Sequence, residues 1–63
     1  METIYFKYLE FDNGYIKEKQ KRAKIIKQYE DGSVLIEYEI NEKTETRVLA
    51  YMEYQRKPFL MSF

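Results

Sequence analysis

The 63-residue chain contains no cysteine, no histidine and no tryptophan. Without cysteine there is no disulfide, and without cysteine and histidine the usual ligands of a structural zinc site are missing, so neither device supplements a core this small. Nucleophilic catalysis needs an activated Ser, Cys, Thr or Lys beside a base. Ser33 sits in a turn sequence and Ser62 at the end of the chain, and no enzymatic activity is expected. Most of the nine glutamates alternate outward along predicted strands, where carboxylates are solvated rather than paired as acid and base. Asp12, Asn13 and Asp31 lack the spacing of a calcium loop and are explained by turn chemistry. No cofactor or metal is expected. No apolar run approaches the roughly 18 residues of a membrane span. The start, METIYFKYLE, carries Glu2 where a secretory signal would be positive, and Lys7 and Glu10 interrupt its apolar run. These features predict a cytoplasmic protein with no membrane contact.

A chain of this length forms one domain, residues 1–63, which buries only about 60% of the surface its unfolded state exposes. Seven tyrosines and four phenylalanines answer that shortage, since aromatic rings bury the most area per residue.

The organising stretch is residues 22–49, RAKIIKQYEDGSVLIEYEINEKTETRVL. Asp31-Gly32 signals a two-residue type I′ hairpin, which places Tyr29 opposite Val34, Lys27 opposite Ile36, Ile25 opposite Tyr38 and Ala23 opposite Ile40. A second loop over residues 41–45 places Ile40 opposite Thr46, Tyr38 opposite Val48 and Ile36 opposite Ala50. Lys24, Glu39 and Arg47 then form a charged row across three strands, which a one-residue slip would destroy. Ile25, Val34, Ile36, Tyr38 and Val48 face the core in this register. Ile26, Leu35 and Leu49 face outward, covered by the chain ends or forming an interaction patch.

Residues 3–11 are rich in Tyr, Phe, Ile and Thr and read as a strand, closed by the turn signal Asp12-Asn13-Gly14. A long polar loop follows. Residues 51–57 read as one 3₁₀ turn, with Pro58 opening a last short strand over 59–63. The fold class is therefore all-β, with five antiparallel strands and a short 3₁₀ turn before the last. In Ala23-Lys24-Ile25-Ile26, residues 31–38 (DGSVLIEY) and Thr46-Arg47-Val48 the chain resembles the SH3-like barrels, particularly Tudor, chromo-barrel and KOW-type modules. The resemblance covers about half the chain and implies a small five-stranded SH3-like antiparallel barrel.

Net charge is zero, but residues 17–27 carry six bases and one acid, while residues 30–53 carry seven acids and two bases. Lys17, Lys19, Lys21 and Arg22 fall in the predicted loop, as a solvated run or, as the KOW-type resemblance implies, a phosphate contact, with Tyr15 and Tyr51 or Tyr54 nearby for stacking. The acidic half of the chain opposes a polyanion. The Tudor resemblance implies an aromatic cage for methylated lysine or arginine, for which Tyr15, Tyr38 and Tyr51 are the nominees, Tyr38 being already placed in the core. Lysine outnumbers arginine, and Ile, Glu, Tyr and Asn are frequent, as in proteins of AT-rich genomes. A short tyrosine- and lysine-rich chain of this kind resembles accessory proteins of bacteriophages and other mobile elements.

The expected function is a non-enzymatic module that binds a protein partner, with Tyr15, Ile26, Leu35, Leu49, Tyr51 and Tyr54 as anchors, since tyrosine concentrates at binding hot spots. The mobile-element resemblance implies an inhibitor or modulator of a host enzyme or defence component. Nucleic-acid binding through Lys17, Lys19, Lys21 and Arg22 is the alternative, and a homodimer subunit is a third reading.

Overall fold

The computed structural model describes residues 2–60. Five antiparallel strands form one sheet: β1 (Thr3–Asp12), β2 (Tyr15–Gln28), β3 (Val34–Ile40), β4 (Lys43–Leu49) and β5 (Tyr54–Gln55), with a 3₁₀ turn at Tyr51–Glu53. Their order across the sheet is β4-β3-β2-β1-β5. The sheet is open, with β4 and β5 at opposite edges, so the expected all-β, five-stranded fold is present without a closed barrel. The last strand comes earlier than predicted. Phe59 and Leu60 are not in a strand, and the rest of the predicted final strand, residues 61–63, lies outside the described residues.

Asn13-Gly14 does more than end a strand. Asp12 pairs with Tyr15 across it, and both loop residues have positive φ, 50° and 83°, the requirement of a type I′ turn. The supposed polar loop after it is therefore a strand, and β1 and β2 pair from Asp12 with Tyr15 back to Thr3 with Lys24. Lysine and glutamate are poor strand formers, but here opposite charges meet across the ladder: Lys17 with Asp12 at 3.8 Å, Lys19 with Glu10 at 3.1 Å and Lys7 with Glu18 at 3.4 Å.

The meander is present in a different register. Gly32 N–H donates to the Tyr29 carbonyl (3.1 Å), Tyr29 N–H donates to the Ser33 carbonyl (2.9 Å), and Gly32 has φ of 90° while Asp31 is not at positive φ. This is a three-residue loop, a type I turn followed by a left-handed glycine bulge. Asp31 favours it over type I′ because its Oδ1 accepts the Ser33 N–H at 2.9 Å and the Ser33 hydroxyl at 2.5 Å, an Asx-type capping that needs the ordinary backbone region. The extra loop residue sets Gln28 opposite Val34, and a bulge at Ile26 then sets Ile25 opposite Ile36 and Lys24 opposite Glu37.

The second turn is shorter than predicted. Asn41 and Glu42, φ 51° and 64°, form a two-residue loop, with Ile40 opposite Lys43 and Val34 opposite Leu49. This exchanges the faces of β4: Leu49 is buried at 1% exposure and Val48 is out at 55%. The row Lys24-Glu39-Arg47 does not exist, since Lys24 faces Glu37, Glu39 faces Thr44 and Arg47 faces Ile36.

The core comprises Ile4, Phe6, Ala23, Val34, Ile36 and Leu49, with Tyr8, Ile25, Tyr38 and Tyr54 half-buried against it. It lies on one face of the sheet. That face is concave, for the Arg47 guanidinium of β4 reaches 5.9 Å from the Phe6 ring centre of β1. Tyr38 meets the Phe6 ring edge-on at 5.2 Å. The 3₁₀ turn carries the chain from one edge strand to the other. It starts with Glu53 reaching back to accept the Ala50 N–H at 2.9 Å, and the segment ends the core where Tyr54 donates its hydroxyl to the Gly32 carbonyl at 2.8 Å.

Candidate functional site

Alternation along the β1–β2 hairpin assigns its side chains to two faces. Residues 4, 6 and 8 of β1 and 19, 21 and 23 of β2 continue the core face, and beyond Tyr8 this face turns polar, with the Lys19–Glu10 and Lys17–Asp12 pairs. Glu10 raises the Lys19 pKa, first by accepting its hydrogen bond and then by its charge.

The opposite face carries Lys7, Leu9, Phe11, Ile16, Glu18 and Gln20. Near the sheet it is covered by the chain after β5. Gln20 exchanges two hydrogen bonds with the Phe59 backbone, at 2.8 and 3.0 Å, and the Lys7 ammonium lies 4.8 Å from the Phe59 ring centre. Toward the tip none of the described residues covers it. Leu9, Phe11 and Ile16 are 62%, 76% and 61% exposed. Phe11 is directly opposite Ile16 and Leu9 follows on the same face, so the three adjoin as one apolar patch. Its polar surround is Glu18, Lys7 and the turn Asn13-Gly14. None of the expected anchors joins this patch: Tyr15 is exposed beside the turn, but alternation sets it on the core-side face, opposite Asp12.

The others are dispersed. Ile26 is exposed at the bulge, Leu35 is half-buried between Lys27 and Val48, and Leu49 is in the core rather than facing outward. Tyr51 is exposed, its ring against Gly32, where a Cβ would approach Tyr51 to 3.2 Å, and Tyr54 is half-buried beneath it. The three tyrosines nominated for a cage are not together: Tyr15 is at the hairpin tip, Tyr38 against Phe6 and Tyr51 over Gly32. Lys17, Lys19, Lys21 and Arg22 lie on a strand, not in a loop. The three lysines point to the core-side face and Arg22 to the other, by the alternation of β2.

A second feature lies where β2 and β3 part. Their pairing ends at Lys24 opposite Glu37; Arg22 and Glu39, next in the same register, do not pair with each other. Between the diverging strands is a cleft of about 460 Å³, with Lys21, Arg22 and Lys24 on the β2 side and Glu37, Tyr38 and Glu39 on the β3 side. Among the described residues no ion pair joins these bases to these acids.

The patch has a signal in the sequence. Once Asn13-Gly14 is read as a two-residue hairpin, Phe11 and Ile16 become cross-strand partners on the face away from Ile4 and Phe6. Among the described residues there is no acidic cluster able to hold a metal ion, and no helix long and apolar enough to cross a membrane. No family model matches the chain, and neither the curated proteins nor the solved structures include a match to it.

Proposed function

We propose that the protein is a non-enzymatic module that binds another protein through the outer face of its first hairpin, with Leu9, Phe11 and Ile16 as the apolar centre. The observation that carries this reading is the exposure of three adjoining large apolar side chains on a face that contributes nothing to the core. Isolated exposed apolar residues are ordinary, but a contiguous patch rimmed by polar groups is characteristic of an interaction site. An aromatic ring such as that of Phe11 supplies area at small cost in side-chain entropy, as hot-spot residues do. Cytoplasmic location, and modulation of a host enzyme or defence component as the mobile-element resemblance implies, belong to this proposal. So does an SH3-like reading of the open sheet, supported by the 3₁₀ turn that links its two edge strands.

The four bases offered for nucleic-acid binding are divided between two faces by the alternation of β2, and the seven acids of residues 30–53 oppose a polyanion, so the protein-binding reading is the better supported. Capture from the native cell with the wild-type chain and with a Phe11→Ser/Ile16→Ser variant tests it. The wild type is expected to retain a discrete protein that the variant loses while staying folded. Equal recovery by both would refute the patch, and recovery of nucleic acid lost on Lys17→Ala/Lys19→Ala substitution would favour the alternative.

A further inference from the structure

The backbone of β2 has an exposed edge beside this patch. In a two-residue hairpin the residues flanking the loop exchange hydrogen bonds, so Asp12 and Tyr15 do, and bonded pairs then alternate along the ladder. Residues 17, 19 and 21 of β2 therefore direct their N–H and C=O groups to β1, and Ile16, Glu18, Gln20 and Arg22 direct theirs to the other side. There β3 is the neighbour only from Lys24 onward. The same rule applied to the Asn41-Glu42 turn points the Glu39 backbone toward β2, where Arg22 has parted from it. Two free edges thus open onto the cleft between β2 and β3.

We infer that the free edge of β2 accepts an extended segment of a partner protein as an added strand, one with acidic side chains alternating with apolar ones. The backbone groups of Ile16, Glu18, Gln20 and Arg22 supply the ladder. Lys21, which has no ion-pair partner among the described residues, selects the acids on one face together with Lys17 and Lys19, whose exposed pairs with Asp12 and Glu10 are weak enough to exchange for a partner's carboxylates, and Ile16 with neighbouring Phe11 takes the apolar side chains. Arg22 and Lys24, without ion-pair partners among the described residues, add positive charge at the mouth of the cleft. A second copy of the chain fits poorly. Symmetric antiparallel pairing along this edge sets the outward residues opposite one another and therefore the lysines of one β2 opposite those of the other, and like charges directly opposed are destabilising. Of the other edges, β4 mixes Lys43, Glu45 and Arg47 on one face and has no preference for an acidic strand, and the stretch of β1 beyond its short pairing with β5 carries Glu10 and Asp12 on its core-side face, which repel one.

This inference rests on the protein-binding reading but can fail separately from it. The probe is a synthetic octapeptide of alternating valine and glutamate, with a valine-lysine peptide as counterpart, added to the full chain while amide hydrogen exchange is followed by NMR. The acidic peptide is expected to slow exchange severalfold at Ile16, Glu18, Gln20 and Arg22, with little change at Lys17 and Lys19, and the basic peptide to change none of them. Glu18→Pro removes one outward N–H without breaking a bond to β1 and is expected to abolish the protection. Should that variant not fold, Lys19→Glu/Lys21→Glu serves, and is expected to reverse the preference between peptides. No protection at these amides, equal protection by both peptides, or protection at Thr44, Thr46 and Val48 of β4 instead would overturn the inference. The patch variant Phe11→Ser/Ile16→Ser, scored by capture, judges the broader reading independently of the peptide.

Discussion

Leu49 and Val48 are adjacent in the chain and lie on opposite faces of β4, one enclosed with Val34 and Ile36, the other in solvent. Leu49→Ala is expected to cost about 2 to 5 kcal/mol, the range for truncating a buried leucine. That is a large share of the stability of a domain this size, on the order of 5 kcal/mol. Val48→Ala is expected to change stability by no more than about 0.5 kcal/mol. Denaturant midpoints of the two variants check this, and the reverse order would restore the longer second loop and its register. Asp31 acts through one oxygen that holds two donors of Ser33, and these hydrogen bonds to its ionised form lower its pKa. Because the folded chain binds this proton less readily than the unfolded one, the contribution is fully present above the ordinary aspartate pKa, about 3.9. It is lost as the pH falls through the lower folded value. NMR titration is expected to show Asp31 below that ordinary value, and Ser33→Ala to return it toward it.

Each element is shaped by its turn, and the three hairpins use two turn chemistries. Asn13-Gly14 and Asn41-Glu42 are two-residue loops with positive φ throughout, whereas residues 30–32 place only Gly32 there. Glu42 pays for its position, since a left-handed conformation costs an ordinary residue about 1 to 2 kcal/mol. Glu42→Gly, giving the favoured Asn-Gly pair, is expected to raise stability by up to about 1 kcal/mol after the larger unfolded-state entropy of glycine is deducted; thermal unfolding of the variant checks it. These turns also explain what could be read in advance. Alternation in residues 34–40 and the Gly32 turn made the meander legible, and the inward places of Ala23, Val34 and Ile36 followed. The partners did not, because Asp-Gly suits both a two-residue and a three-residue loop, and the choice is made by the Asp31 side chain. The bulge at Ile26 leaves no local mark. The first hairpin was legible in principle, from Asn13-Gly14 and the charge matches Asp12/Lys17 and Glu10/Lys19. The low strand propensity of lysine and glutamate concealed it, and with it the patch at Leu9, Phe11 and Ile16.

The whole molecule measures 39 × 26 × 18 Å, and its length matches that of the hairpin, since the ten residues of β1 extend about 33 Å at 3.3 Å per residue. The enclosed core occupies one end, where β1 through β4 and Tyr54 converge. The other end is a ribbon of two strands held by its own ladder and exposed ion pairs, and such pairs are typically worth about 0 to 1 kcal/mol each. Three of these pairs join acids and lysines within the ribbon, yet the first hairpin keeps an excess of bases and residues 30–53 hold seven acids against two bases, so the zero net charge is the sum of a basic hairpin and an acidic meander. A ribbon that adds little to the core and presents an apolar outer face is suited to being covered by something else. The most direct measurement places a photoreactive amino acid at Phe11 or Ile16, and as a control at Thr44 or Thr46 on β4, and irradiates the protein in its native cell. The account predicts a discrete crosslinked protein from the two hairpin positions and none from the β4 positions. Crosslinks from β4 alone, or crosslinks from the hairpin to nucleic acid, would contradict it.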